Sequence, residues 1–405
     1  MRIIMHIDMN SYFATAEQQT NPFLRGKPIC VAGKGQSERT VCAAASIEAK
    51  KFGVKSGSPV WEAKALCPEI QIVPADYLKY EFISRKLIKI FEDYTPAVEI
   101  FSIDEAFLDL SHCFNTLKEA IPLVQVIKTR IREEIGDYLT CSAGIAPNKL
   151  LAKLASEKQK PDGLTIIESE EIKSVLKDTP IEDLCGIGRK IGAKLNLLGI
   201  KTVGELGECS QEKLTKFFGP HLDKVLKMYG LGLDPAPVVS FRDMPREKSF
   251  SHAYTLSQNL TDLEKIKKVL LKLAEKVGRR ARRSGLTGKT ISLYVRFFDF
   301  TAFGQMTTCP HFVDDGHEIY RIATQMLEKI KDPKPVRLIG VGLRNLSPKK
   351  TTSFSLLTID RQKEQIVKTM DKINDRFGEF MLFRASLADI KDKIQEIPDG
   401  RRKRF

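Results

Sequence analysis

Three acidic residues lie in or next to apolar stretches of the sequence. Asp8 follows the apolar run 3–7, and Asp104 and Glu105 lie side by side within the segment 99–109. Carboxylates are rarely buried unless they are paired or bind a metal ion, and no Lys or Arg interrupts either run. Two Mg²⁺ or Mn²⁺ ions about 4 Å apart can stabilise both oxygens of a phosphoryl transfer. The pattern therefore predicts a site for two divalent ions, although ordinary acidic residues at strand ends would give the same sequence pattern.

Hydrophobic spacing indicates the elements that position these acids. Neighbouring residues of a regular strand face opposite sides, so Asp104 and Glu105 can share one site only at a turn or bulge. We therefore predict that they lie at a hairpin tip, within an antiparallel or mixed sheet that has helices on one face. The predicted elements are strands over 3–7 and 28–32, a helix over 77–94, a hairpin over 98–110, a helix around 123–135 and a strand over 139–145.

The second half of the chain has a different pattern. Short helical segments with glycine turns continue to residue 233, and Pro235 and Pro237 then predict an extended linker. Gly186 and Gly188 precede a helical stretch, an arrangement typical of a helix-hairpin-helix that contacts a phosphate backbone. The final part predicts a βαββαβ unit, with strands near 250–256, 291–297 and 336–343, one more strand, and helices over 262–283 and 318–330.

Composition narrows the class of protein. The chain has 405 residues, enough for at least two domains, and 65 Lys and Arg against 51 Asp and Glu give a net charge of +14. A basic protein of this kind suits a polyanionic partner. The eight cysteines form no Cys-x-x-Cys pair, and neither a signal peptide nor a membrane-spanning stretch is evident. We predict a cytoplasmic protein with free thiols.

Five segments carry the chain's most specific motifs: 6–14 (HIDMNSYFA), 102–109 (SIDEAFLD), 147–149 (PNK), 151–153 (LAK) and 160–163 (KPDG). In order and spacing they resemble the palm motifs of the Y family of translesion DNA polymerases. The resemblance implies that Asp8 and Asp104 bridge two Mg²⁺ ions, for which Mn²⁺ could substitute. It implies that Glu105 holds the ion that activates the primer 3′-hydroxyl, and that the Met9 carbonyl binds the nucleotide-bound ion.

The same resemblance implies how nucleotides are selected and held. Phe13, next to Tyr12, falls at the family's steric gate, an aromatic wall that clashes with a ribose 2′-hydroxyl. Lys160 matches a lysine that contacts the triphosphate. The segment 44–54 matches the fingers, but Ala44, Ile47 and Lys50 stand where the family usually has Thr, Tyr and Arg. Ile cannot donate a hydrogen bond and Lys lacks the bidentate fork of Arg, so we expect weaker nucleotide affinity or replacement contacts from Lys34, Arg39 or Lys51.

The implied fold is a multidomain α+β protein with right-hand polymerase architecture. Its implied domains are a palm over 1–10 and 75–166, small fingers over 11–74, a helical thumb over 167–233, a linker over 234–248, a βαββαβ little finger over 249–345 and a C-terminal tail over 346–405. The implied partners are primer-template DNA and dNTPs. The candidate DNA contacts are Gly186, Gly188, Arg189, Lys190, Arg246, Lys248 and Arg296, together with Tyr294 and the basic helix over 262–283.

The tail also contains an apolar peptide from Ser353 to Leu357 that resembles a sliding-clamp-binding motif, without its usual leading glutamine. It could equally be a docking segment for the helix that follows. Two other functions stay open: a nucleotidyl cyclase or metal-dependent nuclease, and a DNA-binding scaffold that has lost nucleotide binding. The small fingers, with Gly and Ala in them, predict loose closure around the base pair, low fidelity and lesion bypass.

Overall fold

The computed structural model describes residues 2–33, 39–243, 247–331, 334–349 and 358–390. Its contacts divide the described residues into two compact units, one ending at residue 243 and the other beginning at residue 247, so the boundary along the chain falls within the predicted linker 234–248. Among the helices in the described ranges, none combines the length and the apolar composition that crossing a bilayer requires.

The first unit is built around a mixed five-stranded sheet with the order β5-β6-β1-β7-β8. The central strand β1 pairs antiparallel with β6 and β7, whereas β8 runs parallel to β7. The strands are β1 (Ile4–Met9), β5 (Val98–Ile100), β6 (Glu105–Asp109), β7 (Cys141–Ala146) and β8 (Leu164–Ile166).

Both faces of this sheet are covered, so the prediction of helices on one face is wrong. Ile3, Met5 and Ile7 pack in one core with the buried faces of α4 and α5, and Ile4 packs with α6 on the other side. Gly144 permits that second contact, because a Cβ there would lie 2.1 Å from the carbonyl oxygen of Ala152. The helices around the sheet are α1 (Tyr12–Thr20), α4 (Tyr77–Glu92), α5 (Ile121–Glu134) and α6 (Lys149–Lys158).

Two smaller groups of elements complete the first unit. A three-stranded sheet, in the order β3-β2-β4, encloses a small core with two short helices. Its elements are β2 (Ile29–Ala32), β3 (Cys42–Ala45), α2 (Ile47–Lys51), α3 (Val60–Leu66) and β4 (Gln71–Pro74). The helical group that follows β8 contains α7 (Ile172–Asp178), α8 (Arg189–Leu197), α9 (Val203–Glu208) and α10 (Gln211–Gly230), the last kinked at Gly219-Pro220.

The first part of the predicted linker is fixed to the first unit. The Arg2 guanidinium donates to the carbonyl of Ala236 at 2.7 Å, and the amide of Val239 donates to the Glu99 carboxylate at 2.9 Å. Phe241 is 6% exposed and belongs to the core of the five-stranded sheet. Residues 234–240 therefore lack regular secondary structure and 241–243 form a short 3-10 turn, but the segment is packed, unlike a free linker.

The second unit has the predicted βαββαβ order. Its antiparallel sheet, β11-β10-β12-β9, carries α11 and α12 on one face. In β10 the side chains of Ile291, Leu293 and Val295 are buried, whereas Tyr294 is exposed and Arg296 is half-buried on the opposite face. The elements are β9 (Ser249–Leu260), α11 (Leu263–Arg283), β10 (Leu286–Phe297), β11 (Ala302–Val313), α12 (Gly316–Leu327) and β12 (Val336–Pro348).

A C-terminal helix, α13 (Thr358–Phe377), lies against the basic helix α11. Arg282 makes a bidentate pair with Asp371, at 2.6 and 2.9 Å, and both Arg279 and Arg283 contact Asp375. The sequence had indicated the basic helix as a DNA contact. Three of its arginines pair with two acids of α13 within the second unit.

Candidate active site

The strand register brings the three acids to one end of the five-stranded sheet. Asp8 on β1 lies opposite Glu105 on β6. The amide of Met9 donates to the carbonyl of Asp104 at 3.0 Å. Asp104 closes the turn between β5 and β6, and Glu105 is the first residue of β6. The turn thus places the adjacent acids beside Asp8, as the predicted hairpin tip requires.

Alternation along β1 decides which helix the site faces. His6 and Asp8 point to the same side of the sheet as Ile4, the side covered by α6. From α6, the Lys153 ammonium donates to Glu105 Oε2, and Ser156 Oγ lies 2.8 Å from His6 Nδ1. The site therefore lies between one end of the five-stranded sheet and the helix α6.

Each acid has its own polar neighbours. Lys160 Nζ lies 3.0 Å from Asp8 Oδ1, the Ser102 hydroxyl donates to Asp104, and His6 Nε2 lies 3.2 Å from Glu105 Oε2. Sequence reasoning had found no cation within either apolar run. Lys153 and Lys160 come from a later part of the chain, and the sequence analysis had included Lys153 only as a member of the motif 151–153.

The electrostatics of the three carboxyl groups differ. Burial raises the pKa of Asp8 to about 6, although the nearby Lys160 opposes that rise. Burial also raises the pKa of Asp104, against the hydrogen bond from Ser102. Burial acts in the same direction on Glu105, but its neighbours His6 and Lys153 outweigh it and lower the pKa to about 2.

The chemistry of these donors fits a divalent cation. Asp8 and Asp104 are carboxylates in a desolvated setting that disfavours their negative charge, so a hard cation would stabilise both. In the described ranges, no three Asp, Glu, His or Cys side chains are already oriented as one ligand set. Asp8 and Asp104 would have to turn from Lys160 and Ser102 to share an ion, and Glu105, which Lys153 holds by Oε2, would contribute Oε1.

Phe13 and Tyr12 begin α1 directly after the site. Tyr12 is 2% exposed, and its hydroxyl donates to the carbonyl of Tyr80 at 2.6 Å. Phe13 is half-buried and stacks on the Tyr80 ring, with centroids 4.4 Å apart. Of the two aromatic residues predicted to sense the sugar, only Phe13 has a surface that a ligand can reach.

Asn10 connects the site to the loop that carries Lys160. Its amide donates to Ser142 Oγ at 3.0 Å, and its Oδ1 accepts from the Asp162 amide at 2.8 Å. The side chain is 4% exposed. Sequence analysis gave Asn10 no role, since a buried amide gives no signal in hydrophobic spacing.

Comparison with known proteins agrees with this architecture. The impB/mucB/samB family matches residues 7–157, its C-terminal domain matches 247–356, and the HHH motif of the IMS family matches 169–200. DNA polymerase IV of Moorella thermoacetica is 37% identical over 384 residues, which cover 94% of this chain and 95% of that protein. The chain belongs to the Y family of DNA polymerases.

Further comparisons support the same assignment. DNA polymerase IV 1 of Bacillus subtilis is 34% identical over 385 residues, covering 93% of this chain and 91% of that protein. A solved Y-family DNA polymerase chimera has a TM-score of 0.76 and 28% identity, over 85% of this chain and 98% of its own. As a Y-family polymerase, the chain has a multidomain α+β polymerase fold and depends on divalent metal ions.

The residues that depart from the family pattern lie on the small three-stranded sheet and on α2. Ala44 is buried in β3, paired with Val31, and Ile47 is half-buried at the start of α2. Partial desolvation and the neighbouring Lys160 lower the pKa of Lys50, and the Asp8 carboxylate opposes that shift. Lys34 lies outside the described residues.

The helix-hairpin-helix of this polymerase has the geometry that its glycines predicted. Gly186 has a φ of +96°, a conformation that favours glycine, and Gly188 caps the N-terminus of α8. Arg189 and Lys190 are exposed on the first turn of α8. These features present amide groups and two cations at one helix end.

The remaining predicted contacts lie in the second unit or beyond the described residues. The Arg296 guanidinium donates to the hydroxyl of Tyr294 at 2.9 Å, on the sheet face opposite the helices. Lys248 is exposed just before β9. Arg246 and the peptide from Ser353 to Leu357 lie outside the described residues.

Proposed function

We propose that this Y-family polymerase performs template-directed DNA synthesis at the cluster of Asp8, Asp104 and Glu105. The observation that carries the proposal is the pairing of Asp8 with Glu105 and of the Met9 amide with the Asp104 carbonyl. Acids that are about one hundred residues apart thereby lie together in a desolvated setting at one end of the sheet. Membership of the family supplies the reaction: addition of dNTPs to a primer on a DNA template, including damaged templates.

Two Mg²⁺ ions are the cofactor that the donor set favours, with Mn²⁺ as a substitute, because all the candidate ligands are hard oxygens. The carboxylates of Asp8, Asp104 and Glu105 and the carbonyl of Met9 would hold them. When bound, such ions stabilise the attacking and leaving oxygens of the phosphoryl transfer. Lys153 would hold Glu105 in place by donating to its Oε2.

The nucleotide would lie between the five-stranded sheet and the small sheet. Phe13 provides the wall under the sugar, and Tyr12 supports it from the core. Lys160, beside Asp8, supplies a cation for the triphosphate, and Lys50 adds a second charge nearby. The side chains of Ala44 and Ile47 offer no hydrogen-bond donor, so we expect a weak grip on the phosphates.

DNA would be held by its backbone, without reading of the bases. In this proposal residues 1–10 and 75–166 form the palm, 11–74 the fingers, 167–233 the thumb and 249–345 the little finger. Gly186, Gly188, Arg189 and Lys190 contact one phosphate group. Lys248 and Arg296 are candidate contacts of the little finger, and Arg246 is proposed from the sequence alone.

Primer extension tests the proposal against its alternatives. Wild-type protein with a recessed primer, a template, dNTPs and Mg²⁺ should extend the primer, and Asp104→Ala should lower kcat by at least about a thousandfold. Asp76→Ala, a change at an exposed helix cap, is the matched control. Cyclic nucleotides or shortened DNA as the main products, or equal extension by Asp104→Ala, would contradict it.

Recruitment by a sliding clamp is a separate proposal. It rests on the resemblance of the apolar peptide from Ser353 to Leu357 to a clamp-binding motif. Deleting residues 353–357 should remove clamp stimulation of synthesis and leave synthesis without clamp unchanged. Equal stimulation of the full chain and the deletion variant would contradict it.

A further inference from the structure

We propose that Glu17 and Tyr80 are positioning residues that stiffen the Phe13 ring and thereby set the selection of deoxynucleotides over ribonucleotides. The inference rests on the proposed role of Phe13 as the wall under the sugar. It adds two residues, from α1 and α4, that do not reach the substrate themselves.

The first observation is the packing behind Phe13. Its ring is nearly parallel to the Tyr80 ring, at an interplanar angle of 16° and a centroid distance of 4.4 Å. The Tyr77 ring closes one edge at 5.8 Å, in a T-shaped arrangement. Tyr80 is 0% exposed, so Phe13 cannot move inward without displacing a side chain of the core.

The second observation is the polar anchoring of Tyr80. Its hydroxyl donates to Glu17 Oε1 at 2.7 Å, and Lys79 Nζ donates to Glu17 Oε2 at 2.6 Å. At the other end of the residue, the carbonyl of Tyr80 accepts from the hydroxyl of Tyr12 at 2.6 Å. Tyr80 is therefore held at its ring, its hydroxyl and its backbone.

The buried carboxylate of Glu17 makes this anchor rigid. Glu17 is 5% exposed, and a carboxylate in such a setting is stable only while its partners stay in place. A sideways shift of Tyr80 would separate its hydroxyl from a charged acceptor, which is more costly than breaking a neutral hydrogen bond.

Stiffness matters because a steric wall works by contact alone. An apolar pocket rejects an added hydroxyl weakly, since the pocket loses no hydrogen bond. Strong rejection of a 2′-hydroxyl requires that the wall does not yield by even a few tenths of an ångström, because the repulsion falls steeply with distance. The stack on Tyr80, fixed by Glu17, provides that resistance.

A purely structural role for these residues makes a different prediction. If Tyr80 only joined α1 to α4, its replacement would lower stability and would slow dNTP and rNTP incorporation by the same factor. If it supports Phe13, its replacement speeds rNTP incorporation relative to dNTP incorporation. The effect must also depend on the Phe13 ring being present.

The experiment measures kcat/KM for a matched dNTP and rNTP on one primer-template, and reports their ratio. Tyr80→Leu removes the stack and should lower the ratio by about tenfold, and Tyr80→Phe keeps the ring and should lower it about threefold. Phe13→Val removes the wall, so its ratio of dNTP to rNTP kcat/KM is the lowest value expected among these variants. Lys86→Met, which changes an exposed lysine over the Phe82 ring on the same helix, should leave the ratio unchanged.

The double variant Phe13→Val with Tyr80→Leu decides how Tyr80 acts. We expect the same ratio as for Phe13→Val alone, because the wall that Tyr80 supports is already absent. A further tenfold fall in the double variant, or a wild-type ratio in both Tyr80 variants, would overturn the inference. A wild-type ratio in Phe13→Val would overturn the role of Phe13 and, with it, that of Tyr80. If Tyr80→Leu fails to fold by thermal melting, Tyr80→Phe gives the same test.

Discussion

At the scale of single residues, the site depends on charges that come from separate parts of the chain. The acids Asp8, Asp104 and Glu105 could be found from the sequence, because carboxylates in apolar runs are unusual. Lys153 could not, because a lysine on an amphipathic helix looks like any solvated lysine. The role of Lys153 becomes apparent only in the folded protein, where Gly144 lets α6 pack closely against the sheet.

The position of Lys153 gives the first prediction. Its ammonium donates to Glu105 and lies 5.1 Å from the Phe101 ring centre. Lys153→Met removes a charge-assisted hydrogen bond, so Glu105 becomes less fixed and kcat should fall by about tenfold to a hundredfold, with the KM for dNTP nearly unchanged. Steady-state kinetics measure this, with the exposed Lys158→Met as control. A fall in kcat of less than twofold would show that Lys153 does not position Glu105.

The unusual fingers residues give the second prediction. Ile47→Tyr with Lys50→Arg adds a hydroxyl donor and a bidentate guanidinium close to Lys160, and the apparent dNTP affinity should rise by about tenfold. Titration of dNTP in single-turnover primer extension measures the affinity. Lys55→Arg, an exposed change in the loop after α2, should have no effect. An unchanged affinity in the double variant would mean that other residues already supply these contacts.

At the scale of elements, hydrophobic spacing was informative where one face of an element is buried. The βαββαβ order was predicted because Ile291, Leu293 and Val295 alternate with polar residues and because α11 is amphipathic. The faces of the five-stranded sheet were harder to assign, since β1 and β7 are buried on both sides and carry no alternation. The prediction of helices on one face failed for that reason.

Two elements have partners that are distant in sequence. Proline content predicted a linker over 234–248, but Arg2 and Glu99, more than one hundred residues away, hold its first part to the first unit. The positive charge of α11 indicated nucleic acid, and three of its arginines, Arg279, Arg282 and Arg283, pair with Asp371 and Asp375 of α13. Charge and composition do not reveal pairing of this kind.

The contact between α11 and α13 gives the third prediction. Arg282 and Asp371 are 10% and 17% exposed, so Asp371→Asn should weaken the docking of α13 by about 2 kcal/mol. Hydrogen exchange of the amides in 362–377 should become faster, and that of α12 should not change. Asp262→Asn, at the exposed pair with Lys265, is the control for a surface ion pair. Unchanged exchange in Asp371→Asn would show that the pair does not hold the helix.

At the scale of the whole molecule, the net charge of +14 and the helix-hairpin-helix predict binding to the DNA backbone. Replacing both Arg189 and Lys190 by Ala removes two cations from the start of α8. Affinity for primer-template DNA should fall equally for different sequences, and the salt dependence of log Kd should become shallower by about 2. Fluorescence anisotropy at several salt concentrations measures both. A loss of affinity confined to one DNA sequence would contradict a contact with the backbone.

In a Y-family polymerase, the acids at the active site must act together with a surface that binds the nucleotide and a basic surface that binds DNA. The central claim is that Asp8, Asp104 and Glu105 hold a pair of divalent ions at one end of the five-stranded sheet. A crystal structure with primer-template, a non-reactive dNTP analogue and Mn²⁺, with anomalous scattering to locate the metal, tests this most directly. We predict two manganese peaks within about 2.5 Å of oxygens of Asp8, Asp104 and Glu105. Peaks bound elsewhere, with the carboxylates of Asp8 and Asp104 still on Lys160 and Ser102, would contradict the account.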